Sequence, residues 1–170
     1  MNSIETQLRE AMGGIPPIAR PIHVSVTERI LRRLLLAILL IAMVGTGAEL
    51  ILLEHTETIW QLIPLGLLAS GIIGALAVAT RPGRPAIRVF QVLMALFIAA
   101  GLTGLFLHYK GNVEFELEMY PEMTGAELFS NTMTGATPVL APGTMLVFGF
   151  VGLASTYRHP RIIARSAVED

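Results

Sequence analysis

Four stretches of the chain are apolar almost without interruption: residues 34–53, 59–79, 89–107 and 139–157. A helix rises about 1.5 Å per residue and the hydrocarbon core of a bilayer is about 30 Å thick, so each stretch is long enough to cross. Each stops at polar or helix-breaking residues. His55 and Thr56 follow the first, Arg81-Pro82-Gly83-Arg84-Pro85 separates the second from the third, His108-Tyr109-Lys110-Gly111-Asn112 follows the third, and Arg158-His159-Pro160-Arg161 ends the fourth. The pattern predicts an all-α integral membrane protein of four transmembrane helices within residues 25–157, preceded by an arm at 1–24 and followed by a tail at 158–170. Thirty-three residues precede the first stretch and its apolar run exceeds a secretory h-region, so it is expected to stay in the membrane.

Composition agrees with this reading. Of 170 residues 53% are hydrophobic and 15% charged, with a mean hydropathy of +0.64, against about 25% charge in an ordinary soluble domain. A net charge of -1 with 12 Lys and Arg leaves no domain-sized basic face for nucleic acid. The absence of Cys excludes disulfides, thiolate metal sites and Cys nucleophiles.

The position of the charges changes the picture more than their number. If both termini and the 80–88 loop share one side, that side holds 11 of the 12 basic residues, and Lys110 alone lies opposite. Eight of the 13 acids (Glu49, Glu54, Glu57, Glu114, Glu116, Glu118, Glu122, Glu127) fall on or near the opposite side. By the positive-inside rule both termini are expected in the cytoplasm. The expected location is a bacterial cytoplasmic (inner) membrane, a reading that rests on the simplicity of the chain and its lack of eukaryotic sorting signals.

Outside the spans, Ser3–Met12 reads as a short amphipathic helix and Gly13–Pro21 as an extended connector. Ser25-Val26-Thr27-Glu28 fits a capping box that starts the first membrane helix. The extracytoplasmic segment at 109–137 is the one soluble stretch long enough to have structure of its own. In it Val113, Phe115, Leu117 and Met119 alternate with three glutamates, the period of a half-buried strand or of an extended loop resting on the bundle. A second capping box at Thr124–Glu127 predicts a short helix over Gly125–Met133, ended by Gly135, with Leu128, Phe129 and Met133 toward the membrane surface. Pro138 and Pro142 suit the first turn of the fourth span.

Small residues recur at helical spacing: Gly66, Ser70 and Gly74; Gly71, Ala75 and Ala79; Ala95, Ala99 and Thr103; Ala100 and Gly104; Gly149 and Gly152. Such ridges let membrane helices approach closely, within one bundle or toward a partner. Glu49 lies inside the first apolar run, where a carboxylate is costly, and it shares a face with Gly45 and Thr46. His108 caps the third run at similar depth, so a Glu49/His108 pair is a candidate proton or cation site, with His55 nearby. His55, His108, Glu54 and Glu57 form a weaker candidate metal set, with no recognisable ligand spacing. Phosphate loops, nucleophile elbows and His-x-x-x-His pairs are absent from the sequence, and no cofactor is implied.

These features predict a non-enzymatic small membrane protein that acts through protein–protein contact, as an accessory or assembly subunit or a homo-oligomer. Its candidate contact residues are Val113, Phe115, Leu117, Met119, Gly66, Ser70 and Gly74. The alternatives are a proton or cation transporter using Glu49 and His108, and an extracytoplasmic metal-binding membrane protein.

Overall fold

The computed structural model describes residues 25–163, and over these the chain is helical with no strand. Helix α1 spans Val26–Leu52, α2 Ile59–Thr80, α3 Arg84–Met119, α4 Gly125–Met133 and α5 Gly143–Thr156. The expected Ser3–Met12 helix and Gly13–Pro21 connector lie outside the described residues, as does 164–170.

Local sequence sets the helix ends. Ser25 Oγ accepts from the Glu28 N–H at 3.1 Å while the Glu28 carboxylate accepts from the Ser25 N–H at 3.3 Å, which is the capping box the sequence predicts. At the other end of α1, Glu54 turns into the left-handed region with φ 52°. The His55 N–H then reaches Leu50 O at 2.9 Å and the Glu54 N–H reaches Ile51 O at 3.1 Å, a Schellman closure made without glycine. Gln61 starts α2 by accepting, through one side-chain oxygen, from the N–H groups of Glu57 and Thr58.

Interior positions are spaced three and four residues apart. They are Leu36, Leu39 and Met43 on α1; Leu68, Gly71, Ala75 and Val78 on α2; Ile87, Phe90, Met94, Phe97 and Gly101 on α3. That spacing suits near-parallel or near-antiparallel helices packed ridge into groove. α1 packs on α2 and α5, and α3 packs on the same two helices, so the four long helices close a ring with antiparallel neighbours. Small residues at the helix contacts are spent inside it, among them Gly71 and Ala75, Gly104, and Gly149 and Gly152, while the Ala95/Ala99/Thr103 ridge and Gly66 with Ser70 face outward. A Cβ on Gly71 would meet the Phe97 ring at 2.8 Å, one on Gly101 would meet the backbone N of Leu146 at 3.0 Å, and one on Gly104 would meet Pro142 at 2.7 Å.

α5 has 14 residues, about 21 Å of rise, which is short of a bilayer core. It is extended at its start by tight i→i+3 turns, with N–H groups of Ala141, Gly143, Thr144 and Met145 bonded to the carbonyls of Pro138, Leu140, Ala141 and Pro142. At about 2.0 Å per residue these turns add roughly 10 Å. Neither proline interrupts the series, because neither is asked to donate.

The surface of the ring is as apolar as its interior. α1, α2 and α3 are each long and apolar enough to cross a membrane, yet only 17–22% of their most hydrophobic windows is buried within the protein. Soluble monomers rarely expose contiguous apolar patches above a few hundred Å². An exterior on which Ile41 is 75% and Ile73 69% exposed is that of a membrane-embedded protein.

The strand or extended loop expected at 113–119 is not formed. α3 runs on as one helix of 36 residues, about 54 Å long, to Met119. The alternating set divides into two helical pairs: Val113 and Leu117, four apart, are half-buried, while Phe115 and Met119 lie exposed on another face. Glu, Leu and Met are good helix formers, and a continuing helix pairs every backbone group that a lone strand would leave open.

Candidate functional site

The charges separate to the two ends of the ring. One end carries eight arginines among the described residues (29, 32, 33, 81, 84, 88, 158 and 161) against Glu28; the other carries the eight glutamates against Lys110.

At the arginine end, Arg32 of α1 reaches across to the last turn of α5. Its Nη1 donates to Tyr157 O at 2.8 Å and Ser155 O at 3.3 Å, and its Nη2 to Arg158 O at 3.4 Å. A cation is thereby placed at the C-terminal end of α5, on the Ser155 carbonyl and on those of the two residues that follow the helix, near the negative pole of its dipole. Arg84 Nε donates to Arg161 O, and Gln91 Nε2 to Thr156 Oγ1 at 3.3 Å, so α1, α3 and the segment after α5 are tied together. His159 sits beside these guanidinium groups. Desolvation, then Arg32 and Arg161, hold its imidazole below the ordinary value of 6.5.

At the acidic end the ring is capped. The last three turns of α3, beyond residue 107, are covered on one side by α4 and by the 134–142 segment. The residue that joins them is Asn112, 3% exposed. Its Nδ2 donates to Thr132 O at 2.9 Å and Thr137 O at 2.7 Å, and its Oδ1 accepts from the Thr137 N–H at 3.2 Å. Gly135 allows this closeness, since a Cβ there would lie 2.9 Å from Asn112 Nδ2. Tyr109 and Phe129 stack at a tilt with centroids 6.4 Å apart, and Asn131 donates to the Met123 sulfur at 3.4 Å. The result is a clamped ledge, with Phe115, Met119, Tyr120 and Phe129 each more than half exposed on it.

The short helix is formed over Gly125–Met133 as the sequence predicts, but its signals act differently. Thr124 makes no side-chain cap, the left-handed residue is Gly125 with φ 62°, and Gly135 serves close packing rather than helix termination.

Glu49 and His108 do not pair. The interior stripe of α1 passes through Leu36, Leu39 and Met43, and Glu49 falls well off it, on the exposed surface beside Gly45, which has open space around it. His108 instead holds Pro138 O through Nδ1 at 2.9 Å, which ties the start of the fifth-helix turns to α3. His55, placed by the Schellman turn, lies near enough to His108 to feel its charge; desolvation first, then His108, lowers its pKa from 6.5. Glu54 and Glu57 are exposed in the same turn. Among the described residues no three His, Asp or Glu side chains come together as a metal set. Of the α2 ridge, Gly66 faces open space, the Ser70 hydroxyl bonds back to Gly66 O at 2.8 Å, and Gly74 is covered by Phe90 and Leu93.

Both perturbed histidines carry the same pH consequence. A histidine held below its unfolded value of 6.5 binds fewer protons in the folded protein, so stability is full above about pH 6.5 and declines as pH falls below it, where the unfolded chain gains protons first. The thermal midpoint in mild detergent is expected to fall between about pH 7.5 and pH 5.5, and the double variant His55→Gln/His159→Gln is expected to flatten that slope. An unchanged slope would show that neither histidine contributes to it.

Comparisons with protein-family models, with curated proteins and with solved structures find no match to this chain. The functional reading therefore rests on the geometry of the two ends.

Proposed function

We propose that this is a non-enzymatic membrane protein that works by contact, its α1, α2, α3 and turn-extended α5 all crossing the bilayer, with both termini and the arginine end in the cytoplasm. The observation that carries the contact reading is the clamped ledge. A 36-residue helix projects about 18 Å past residue 107, and Asn112 fixes a second helix against it. Phe115, Met119, Tyr120 and Phe129 remain exposed among glutamates beyond the bilayer, where lipid does not account for them. Large apolar side chains exposed among charged ones and away from lipid suit contact with another protein. An accessory or assembly subunit fits this arrangement.

The choice of contact over transport is supported by what fills the interior. Asn112, Thr132, Ser155 and Thr156 are the buried polar residues among those described; no carboxylate, Lys or His is buried there. A relay of protons or cations uses ionisable residues facing the bundle interior or a water-filled cavity.

A photoactivatable residue at Phe115 or Phe129, activated in the native membrane, is expected to give a discrete protein adduct. The same residue at Ile41 or Ile73, on the lipid-facing surface, is expected to give lipid adducts. Protein adducts from the lipid face and none from the ledge would overturn the assignment.

A further inference from the structure

Between α1 and α2 the exterior of the ring carries a shallow, open groove of about 380 Å³, lined by Leu40, Ile41, Val44, Ile72 and Leu76. Its walls are aliphatic throughout, the lining expected for a hydrocarbon chain rather than for a polar ligand. Charge lies at one mouth. Arg33 is seven residues before Leu40 on the same face of α1, about 10 Å along the axis. Arg81 follows the end of α2, five residues after Leu76, at that same end of the ring.

The state of these arginines separates them from Arg32 and Arg84. Those two are engaged on carbonyls of the α5 end and the segment after it. Arg33 and Arg81 are exposed, and among the described residues their guanidinium groups bond nothing. Glu28 is the sole acid of the described residues at this end, and its carboxylate already accepts from the Ser25 N–H. Two guanidinium groups above an aliphatic channel at headgroup depth complement a phosphate above an acyl chain, because the planar fork of Arg matches phosphate oxygens bidentately.

We propose that the α1/α2 groove holds one anionic phospholipid, its acyl chain along Leu40, Ile41, Val44, Ile72 and Leu76 and its phosphate between Arg33 and Arg81. A second copy of this chain is disfavoured as occupant: in the same membrane orientation it would bring a second arginine-rich end to the same level. A zwitterionic lipid would leave the excess of arginine unbalanced. The proposal rests on the bilayer placement of the ring and is independent of the contact reading of the ledge.

The test is native mass spectrometry of the full chain released from mixed phosphatidylglycerol/phosphatidylcholine nanodiscs. One phosphatidylglycerol is expected to be retained per chain in clear preference to phosphatidylcholine. Each charge-assisted guanidinium–phosphate contact is worth about tenfold in affinity, so Arg33→Gln/Arg81→Gln is expected to lower retention by more than tenfold. Arg88→Gln/Arg161→Gln, of equal charge change but away from the groove, is expected to retain the lipid. All four residues are exposed or outside the core, and an unchanged thermal midpoint checks that the variants are folded. No headgroup preference, an equal loss in both double variants, or a lipid-independent dimer would each overturn the proposal.

Discussion

Replacing Asn112 with Asp should release the ledge from the bundle while leaving the ring intact. The substitution keeps the shape of the side chain and removes both donors, so a carboxylate would face the carbonyl oxygens of Thr132 and Thr137, which now lie 2.9 and 2.7 Å from Nδ2. Three hydrogen bonds at about 1 kcal/mol each, one of them to the buried Thr132 that would be left unpaired, put the loss at about 3 kcal/mol. Asn112→Ala should lose a similar amount by vacating the clamp, whereas changes at exposed Glu114 should do little: its ion pair with Lys110 is on the surface at 3.3 Å, and such pairs contribute little. Hydrogen exchange followed by mass spectrometry checks this. Amides of 125–142 should lose protection in both Asn112 variants while those of α2 and the first half of α3 keep theirs. Uniform loss across the chain would show that the ledge and ring unfold together.

The second large effect is expected where α5 meets α3. A Cβ on Gly149 would lie 2.6 Å from the Met94 carbonyl oxygen, and one on Gly152 would run into the Met94 thioether. A flexible Met side chain can move aside, but a backbone carbonyl moves only with its helix. Gly149→Val should therefore push α3 and α5 apart and destabilise the protein by about 3 kcal/mol, near the upper end for overpacking. Gly152→Ala should be milder. Gly66→Ala is the contrasting case, with nothing within 4 Å of the added carbon, and should be neutral or stabilising by up to about 1 kcal/mol through helix propensity. Thermal unfolding of the three variants in one detergent measures the ordering. A destabilised Gly66→Ala beside a tolerant Gly149→Val would mean that the helices pack through different faces.

Three of the four apolar runs were legible as helices long enough to cross a membrane, because that depends on length and hydropathy, which are local; the fourth, 139–157, yields a helix of only 14 residues. The Ser25 cap was legible for the same reason, and so was the Gly125–Met133 helix. The 113–119 stretch was misread because period 2 and period 4 coincide at Val113 and Leu117. Only the half-burial of that pair, and the exposure of Phe115 and Met119, separates helix from strand. Asn112 was missed because Lys110-Gly111-Asn112 reads as punctuation, although 101, 108 and 112 continue the interior spacing of α3 and carry the signal. Glu49 was placed inward from its small neighbours, when the stripe through Leu36, Leu39 and Met43 already turned it outward. Arg32 could not have been singled out among the basic residues of its end, since its partners are backbone carbonyls about 125 positions away along the chain.

Contact through the clamped ledge requires it to stand outside the bilayer, across from the arginine end. The chain contains no Cys, so a single introduced cysteine is a unique reporter in intact cells. With a membrane-impermeant maleimide, a cysteine at Glu127 should label in intact cells, and one at Gly83 should label only after the membrane is opened. Labelling of Gly83→Cys in intact cells with protection of Glu127→Cys would contradict that placement of the ledge.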